Sequence, residues 1–495
     1  MTSVQRLCSL AGIAPGVGLP AYMPEAHGAG IVHLGAGAFM RAHLAAYTDA
    51  ALAASGGDWR ILGVSLRGTD VADALNPQNG LYTLLECGAQ GTSARIIGSI
   101  ACIIASSLAP GAALAAMAAP QTRIVSLTVT EKAYGIDRQA EGVDVTHPAV
   151  SADLANPRMP SGVLGLIVES LRLRQAAGHL PFTVLCCDNL PDNGSLLRFG
   201  VVDFARRIDS GLGDWIAGHV AFPSTMVDRI TPSPTDAVRD NARRLTGFAD
   251  LAAVETEPFS QWVVEDRFSN GRPHWEAGGA LFVDKVAPFE AMKLRMLNGT
   301  HSMLAYAGHL AGCKYVRDVM AQDSLAPLIA RHLRAAAATL APIDNVDFDD
   351  YAEALKQRFA NPAIAHQTYQ IAMDGTEKLP QRILQPAVEA LNAGQDIRPF
   401  AFAVACWMRY CLGRLDNGTK YALRDPREAQ ISSAIAGASD AQAIVDALHS
   451  LPGLFPASLT ASSVWRGALC EILADMLARG IDAAIDAEAG AAYRA

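Results

Sequence analysis

The chain has 495 residues, against roughly 100–200 for one typical domain, so two domains or one large α/β domain are expected. Hydrophobic residues make up 51% of it and charged residues 18%, under the roughly 25% charged of an average globular protein, which excludes a disordered or collagen-like chain. With 40 Lys and Arg against 49 Asp and Glu the net charge is −9, and a mildly acidic chain without a basic cluster is a poor partner for nucleic acid or an anionic membrane.

Near the N-terminus, Arg6 precedes LCSLAGIAPGVGLPAYM, whose Pro15, Pro20 and three glycines break up any signal-peptide core. Beyond it, short β-branched runs alternate with helical stretches. Strands are expected over 31–34, 60–66, 95–100, 123–130 and 182–187, the last two being nearly continuous apolar runs of the kind covered on both faces. Helical periodicity covers 43–54 and 161–177, and Asn79 with Gly80 marks a turn. The alternation predicts an α/β, Rossmann-type N-terminal domain with a parallel, doubly wound sheet. Residues 101–120 carry no charge over the length of a bilayer span, but Ser106, Ser107, Pro110 and Gly111 interrupt a run that is mostly Ala. Ala contributes little to insertion, so a loop and a short helix packed on the sheet are expected there, in a soluble protein.

From about Pro288 strand signals fade and Ala/Leu-rich amphipathic helices take over, expected over 291–311, 326–340, 349–359, 386–393 and 463–479. Polar breaks containing Pro342, Pro362, Pro380, Pro426 and Pro456 separate them. The expected domains are therefore 1–285 and a mostly α-helical 286–495, packed rather than tethered, with a ligand at their interface. Nine cysteines, scattered, odd in number and without CxxC spacing, point to reduced buried thiols and a cytoplasmic location. No HExxH or Cys/His array of zinc-site spacing appears, so no metal site is expected.

The first strand ends in IVHLGAGAFMRAH. Gly35 and Gly37 supply the first two positions of a GxGxxG fingerprint, one for the tight turn and one for backbone approach to a pyrophosphate at a helix N-terminus; Met40 stands at the third. The second strand, RILGVSL, is followed by Arg67, Gly68, Thr69 and Asp70. A carboxylate there accepts hydrogen bonds from the adenine ribose and repels a 2′-phosphate, so Asp70 favours NAD over NADP, while Arg67 beside it would welcome that phosphate.

The chemistry lies in EAMKLRMLNGTHSMLAY. Lys293, Leu297 and His301 fall at i, i+4 and i+8, which on an α-helix puts Lys293 and His301 on one face, with Asn298 three residues before His301. Such polar groups in an otherwise apolar helix are costly unless satisfied.

KLRMLNGTH resembles the Lys–(x)4–Asn–(x)2–His signature of the long-chain polyol dehydrogenases, the family of mannitol 2-dehydrogenase and fructuronate (D-mannonate) reductase. GAGAFMRAH, SLTVTEKAYG, FTVLCCDNLPDNG, FPSTMVDRITP, EPFSQWVVEDRF and IAMDGTEKLPQR carry the resemblance over nearly the whole chain. It implies a Rossmann-type domain followed by a helical one, and a zinc-independent, NAD(P)-linked oxidation of a secondary alcohol. It further implies that Lys293 is the general base, that Asn189 and Asn298 bond the developing alkoxide, and that His301 and Asp228 position the substrate. Glu131 matches a carboxylate that assists proton exit, and Gly35, Gly37, Phe39, Arg41 and Asp70 stand where the cofactor binds. Elementary chemistry agrees: a Lys accepts a hydroxyl proton only if neutral, which requires burial or a nearby cation, and two amides aimed at the oxygen act as an oxyanion hole.

For the substrate, YQIAMDGTEKLPQR is similar to the fructuronate reductase branch, and Lys378 and Arg382 could pair with an aldonate carboxylate. Met40 and Gln367 depart from that branch, which has His and Arg there, and the mannitol branch usually has Arg where Gln370 stands. D-Mannonate/D-fructuronate is the favoured pair, with D-mannitol/D-fructose close behind and arabinitol or sorbitol open. The partner expected is thus a small polyol or sugar acid, handled by a monomer. A catalytically inactive nucleotide-binding sensor is the alternative, against which Lys293, Asn298, His301 and Asn189 all stand.

Overall fold

The computed structural model describes residues 5–109 and 111–492, apart from the side chains of residues 131 and 492. The chain divides into two compact units, Met1–Ala287 and Pro288–Ala495. Among the described residues no helix is long and apolar enough to cross a membrane.

The first unit contains β1 (Ala29–Leu34), β2 (Arg60–Ser65), β3 (Tyr82–Gly88), β4 (Gly91–Ile97), β5 (Ile100–Ala105), β6 (Ile124–Leu127), β7 (Ile136–Asp137), β8 (Gly142–Val143), β9 (Thr183–Cys186), β10 (Thr225–Asp228), β11 (Val254–Thr256), β12 (Gln261–Glu265) and β13 (Leu281–Val283). Its main sheet has the order β5-β2-β1-β6-β9, with every neighbouring pair parallel. All side chains of β6 and β9 are buried, because helices cover both faces: Ile31 of β1 enters one core and Val32 and Leu34 the other. This is a Rossmann-type sheet. The chain runs outward from β1 through β2 to β5, then restarts on the other side with β6 and β9, so the topological switch lies between β1 and β6. Ligands of such sheets bind beyond the carboxyl ends of the strands at that point.

Two expectations for this unit are corrected. The single strand expected over 95–100 is the end of β4 and the start of β5, which belong to different sheets: β4 pairs antiparallel with β3, while β5 is the edge of the main sheet. The corner between them is held by the Asp49 carboxylate, which accepts the Gly98 N–H at 2.9 Å, and by the Ser99 hydroxyl, which donates to the Ala45 carbonyl at 2.7 Å. Consequently the loop expected at the start of 101–120 is strand β5, and the short helix follows at Ala112–Ala118; Pro110 lies outside the described residues.

The second unit is mostly α-helical. Helices Leu325–Ala338, Phe348–Phe359 and Ser463–Arg479 form where the periodicity predicts them. Asp347 caps the second by accepting the N–H groups of Asp349 and Asp350 at 2.8 and 3.1 Å. Pro380 does not break the chain as expected. Helical winding runs on from Gly375–Leu379 through a π-helical turn, Pro380–Leu384, into Gln385–Asn392. Pro380 has no amide hydrogen for an i→i−4 bond, and the winding changes from α to π at that residue. The central helix, Arg398–Tyr410, is buried at every position from Pro399 onward.

Candidate active site

In the first unit the fingerprint loop follows β1. Gly35 has φ 97°, and a Cβ there would overlap the Thr128 carbonyl oxygen at the end of β6, so only glycine turns the chain across the switch point. Gly37 has nothing closer than the Gly35 carbonyl at 3.8 Å to a Cβ position, leaving its backbone open to a ligand. Met40 is fully buried. Its Cε lies 3.6 Å from where a Cβ of Gly63 on β2 would stand, so the close helix–strand packing normally supplied by a third fingerprint glycine is supplied here from the strand side. Phe39 stacks on His43 with ring centroids 5.0 Å apart. Arg41 is buried, donates to the Ala36 carbonyl at 3.3 Å, and its Nε has no hydrogen-bond partner among the described residues. Asp70 is exposed in the first turn of helix Asp70–Leu75, just beyond β2.

Beneath this loop His33 ties β1 to β6. Its Nδ1 meets the Ser126 hydroxyl and its Nε2 the Thr128 hydroxyl, both at 2.8 Å. Burial pushes the imidazole down to about 3, so it is neutral at physiological pH.

Asn189 lies exposed in the bend after β9. The neighbouring Asp188 organises this edge: its carboxylate accepts the Val129 N–H at 2.9 Å, the Thr130 N–H at 3.2 Å and the Tyr134 hydroxyl at 2.5 Å. The loop after β6 is thereby fastened to the loop after β9. Thr130 is held at φ 78°, a conformation a β-branched residue adopts only where its surroundings enforce it. Residue 131 opens the turn Glu131–Ala133, and the Glu131 side chain lies outside the described residues. Asn193 joins this edge to β10, its amide donating to the Asp188 and Thr225 carbonyls at 3.1 and 2.9 Å. Asp228 ends β10, buried, opposite Gln261 of β12. Next to it the buried Arg229 donates to the Ala42 carbonyl and to Glu86, both at 2.6 Å.

In the second unit the signature helix is not uniformly α-helical. Residues Lys293–Gly299 wind as a π-helix between Ala287–Met292 and Thr300–Leu310. The wider π winding brings Asn298 nearer the Lys293 face than α-helical winding would. Lys293 is buried and Asn298 half-buried. The turn is pinned on its other side by Arg295, which donates to Glu389 and to the Thr339 carbonyl, each at 2.8 Å.

The two π-turns of this unit touch. A Cβ on Gly299 would stand 2.7 Å from the Arg382 carbonyl oxygen and 3.4 Å from Cε1 of His332. The buried His332 bonds the Thr300 hydroxyl at 3.0 Å, and burial lowers its imidazole to about 4. Arg382 donates to the Ser302 hydroxyl at 3.2 Å, and that hydroxyl donates to the Asn298 carbonyl at 3.0 Å. His301 stacks on Phe359 at 5.1 Å and meets His366 edge-on at 4.8 Å. Burial, then the charges of His366, Arg382, Arg358 and Lys378, hold His301 well below the usual histidine range. Lys378 donates to the Met373 and Ile371 carbonyls at 2.5 and 3.3 Å, with the Asp374 carboxylate 3.7 Å away. Lys293, Asn298, His301, Lys378 and Arg382 thus share one helical framework, while Asn189, Asp228 and the fingerprint residues lie on the sheet unit. Among the described residues no group of three or more His, Cys, Asp or Glu is arranged to hold a metal ion.

Sequence reasoning missed Asp188, Arg295, His332 and His366. The first was signalled by a lone acid just after a nearly continuous apolar run, FTVLCC; the others had no periodic signal.

Comparison with known proteins gives the class first. Residues 29–277 match the mannitol dehydrogenase Rossmann domain and residues 285–463 the mannitol dehydrogenase C-terminal domain, so the protein is an oxidoreductase of polyols or aldonates, acting on CH–OH donors. The chain belongs to the mannitol dehydrogenase family. It is 45% identical over 435 residues to an uncharacterised oxidoreductase of Escherichia coli (strain K12), covering 86% of this chain and 87% of the relative. It is 42% identical over 459 residues to the D-mannonate oxidoreductase of the same organism, covering 91% and 93%. The structure of Pseudomonas fluorescens mannitol 2-dehydrogenase in ternary complex with NAD and D-mannitol superposes with a TM-score of 0.83 at 36% identity, covering 98% of this chain and 99% of that one.

Proposed function

We propose that the protein is an NAD-linked, zinc-independent oxidoreductase that interconverts a secondary alcohol of a long-chain aldonate or polyol with its ketone. Residues 1–285 hold the dinucleotide, and residues 286–495 carry the base and most substrate contacts. D-Mannonate/D-fructuronate is the favoured pair, followed by D-mannitol/D-fructose. The observation that supports this reading is the π-turn Lys293–Gly299, whose wider winding carries a buried lysine and, about one turn on, a half-buried side-chain amide.

The residues present fit a dinucleotide: the glycine turn at the switch point, the open backbone at Gly37 and the unpartnered Arg41 Nε all suit a pyrophosphate-bearing ligand. Exposed Asp70 suits an unphosphorylated adenine ribose, hence NAD rather than NADP. Bound NAD supplies the hydride acceptor. Lys293 Nζ takes the hydroxyl proton as the C–H bond cleaves, while the Asn298 and Asn189 amides donate to the oxygen as it becomes an alkoxide, stabilising the charge as an oxyanion hole does. Neutral His301 and Asp228 hold the neighbouring hydroxyls, and Glu131 relays the proton outward. The sugar acid is favoured by Lys378 and Arg382, both half-buried in one cluster.

A steady-state screen of D-mannonate, D-mannitol, D-arabinitol and D-sorbitol with NAD and NADP tests the reading. The highest kcat/KM is expected for mannonate with NAD. Strong activity on mannitol with none on mannonate overturns the choice of substrate, and no activity on any of the four overturns the reading.

A further inference from the structure

We infer that His366 is a further substrate-binding residue, completing with Lys378 and Arg382 a subsite for the carboxylate of a sugar acid. The inference rests on the function proposed above for the kind of ligand and adds a residue that the signature motifs leave unassigned.

His366 sits just before helix Thr368–Ala372. Its backbone is fixed, since its carbonyl accepts the Val316 N–H at 3.0 Å. Its ring meets His301 edge-on at 4.8 Å, interplanar angle 79°, while Phe359 stacks on His301. The Nδ1 atom is buried and has no hydrogen-bond partner among the described residues. Leaving such an atom unpaired is costly, so a ligand group arriving beside it would be stabilising.

The surroundings say what that partner is. Arg382, Arg358 and Lys378 each push the His301 imidazole toward neutrality, Lys378 does the same to His366, and Arg382 does it to Lys378. Several positive groups therefore feel one another in a half-buried cluster, where like charges are screened less than in water; Asp374 and Glu377 offset only the charge of Lys378. A neutral polyol offers them only hydroxyl dipoles. A carboxylate offers a full negative charge and lone pairs for several donors at once. Two Lys378 N–H groups are already taken by the Met373 and Ile371 carbonyls, and one Arg382 N–H by Ser302. Arg382 retains four of its five donors. His366 adds a Nδ1–H without having to charge, so it strengthens anion binding without adding to the mutual repulsion.

The test is equilibrium binding to the full-length enzyme saturated with NADH, titrated calorimetrically with D-mannonate and, separately, with D-mannitol. His366→Leu is expected to weaken mannonate about tenfold or more, the scale of losing one hydrogen bond to a charged group, and to move the mannitol Kd several-fold less. His366→Gln, which restores an N–H donor, is expected to recover part of the loss and keeps the test valid if the leucine variant folds poorly. Equal weakening of both ligands, or an unchanged mannonate Kd, overturns the inference, as does a wild type that binds mannonate no better than mannitol. A wild type that binds mannonate selectively but does not oxidise it overturns the proposed reaction instead, while the His366-dependent selectivity still supports the subsite.

Discussion

Gly299→Ala is the sharpest structural perturbation of the site. Gly299 has ordinary helical angles, φ −63° and ψ −51°, so alanine carries no backbone penalty and gains about 1 kcal/mol of helix propensity. Against that gain, its methyl would stand 2.7 Å from the Arg382 carbonyl oxygen, which is backbone and cannot rotate away. The two π-turns must separate by several tenths of an ångström, and such overpacking costs about 1–3 kcal/mol. The net destabilisation is therefore about 0–2 kcal/mol, a Tm change of a few degrees in a unit of this size. The effect on turnover is much larger, because Lys293 and Asn298 lie on one of the displaced turns and Arg382 on the other; misplacement approaching 1 Å costs about a hundredfold. Gly467→Ala is the matched control, in the interior of helix Ser463–Arg479 with nothing within 4 Å of a Cβ; it gains up to about 1 kcal/mol with unchanged kcat. Melting curves and steady-state kinetics on both variants decide the matter. Turnover of Gly299→Ala within threefold of wild type would refute the reasoning.

Asp188→Asn turns one acceptor oxygen into a donor facing the Val129, Thr130 and Tyr134 donors. A destabilisation of about 2–3 kcal/mol, with kcat down at least tenfold as the Asn189 bend shifts, is expected in urea melts and kinetics; an unchanged melt contradicts the clamp. Stability also falls with acid. His33 and His332 are buried neutral, lowered by burial to about 3 and 4, so between those values and the unfolded value the unfolded chain binds more protons. Their stabilisation is complete above pH about 6.5 and is lost below it, at about 1.4 kcal/mol per pH unit for each group. Unfolding free energies from urea melts at pH 7.5 and 5.5 should differ by about 3 kcal/mol from these two alone, and His332→Gln should reduce the measured difference by about 1.4 kcal/mol. An equal slope in the variant contradicts the assignment.

What the sequence made legible follows from which patterns folding leaves visible. Strands β6 and β9 are buried throughout because both faces are covered, and that shows in the largely apolar IVSL and TVLC. The fingerprint and the Lys–Asn–His signature are short and local, so they read directly. Helix Arg398–Tyr410 escaped because a helix buried all round has no amphipathic period. The corner at Gly98 and Ser99 escaped because two strands of different sheets abut with no polar break. The π-turn was hidden for a different reason. Spacing arguments assume 3.6 residues per turn, and Asn298, at i+5, comes nearer the Lys293 face only once the wider winding is known. Met40 looked like a defect in the fingerprint, yet the compensating Gly63 lies on a different strand. The contacts of His366 and His332 are wholly tertiary, and nothing in their local sequence announces them.

The central claim is that Lys293 is the base of an alcohol–ketone oxidoreduction, and Lys293→Ala tests it most directly. NADH binding, followed by fluorescence titration, should stay within a few-fold of wild type, because the dinucleotide is assigned to the sheet unit. NAD-linked oxidation of the best substrate should fall by about 10²–10⁴-fold, the usual contribution of a positioned base. A variant that binds NADH normally and turns over within tenfold of wild type would contradict the account.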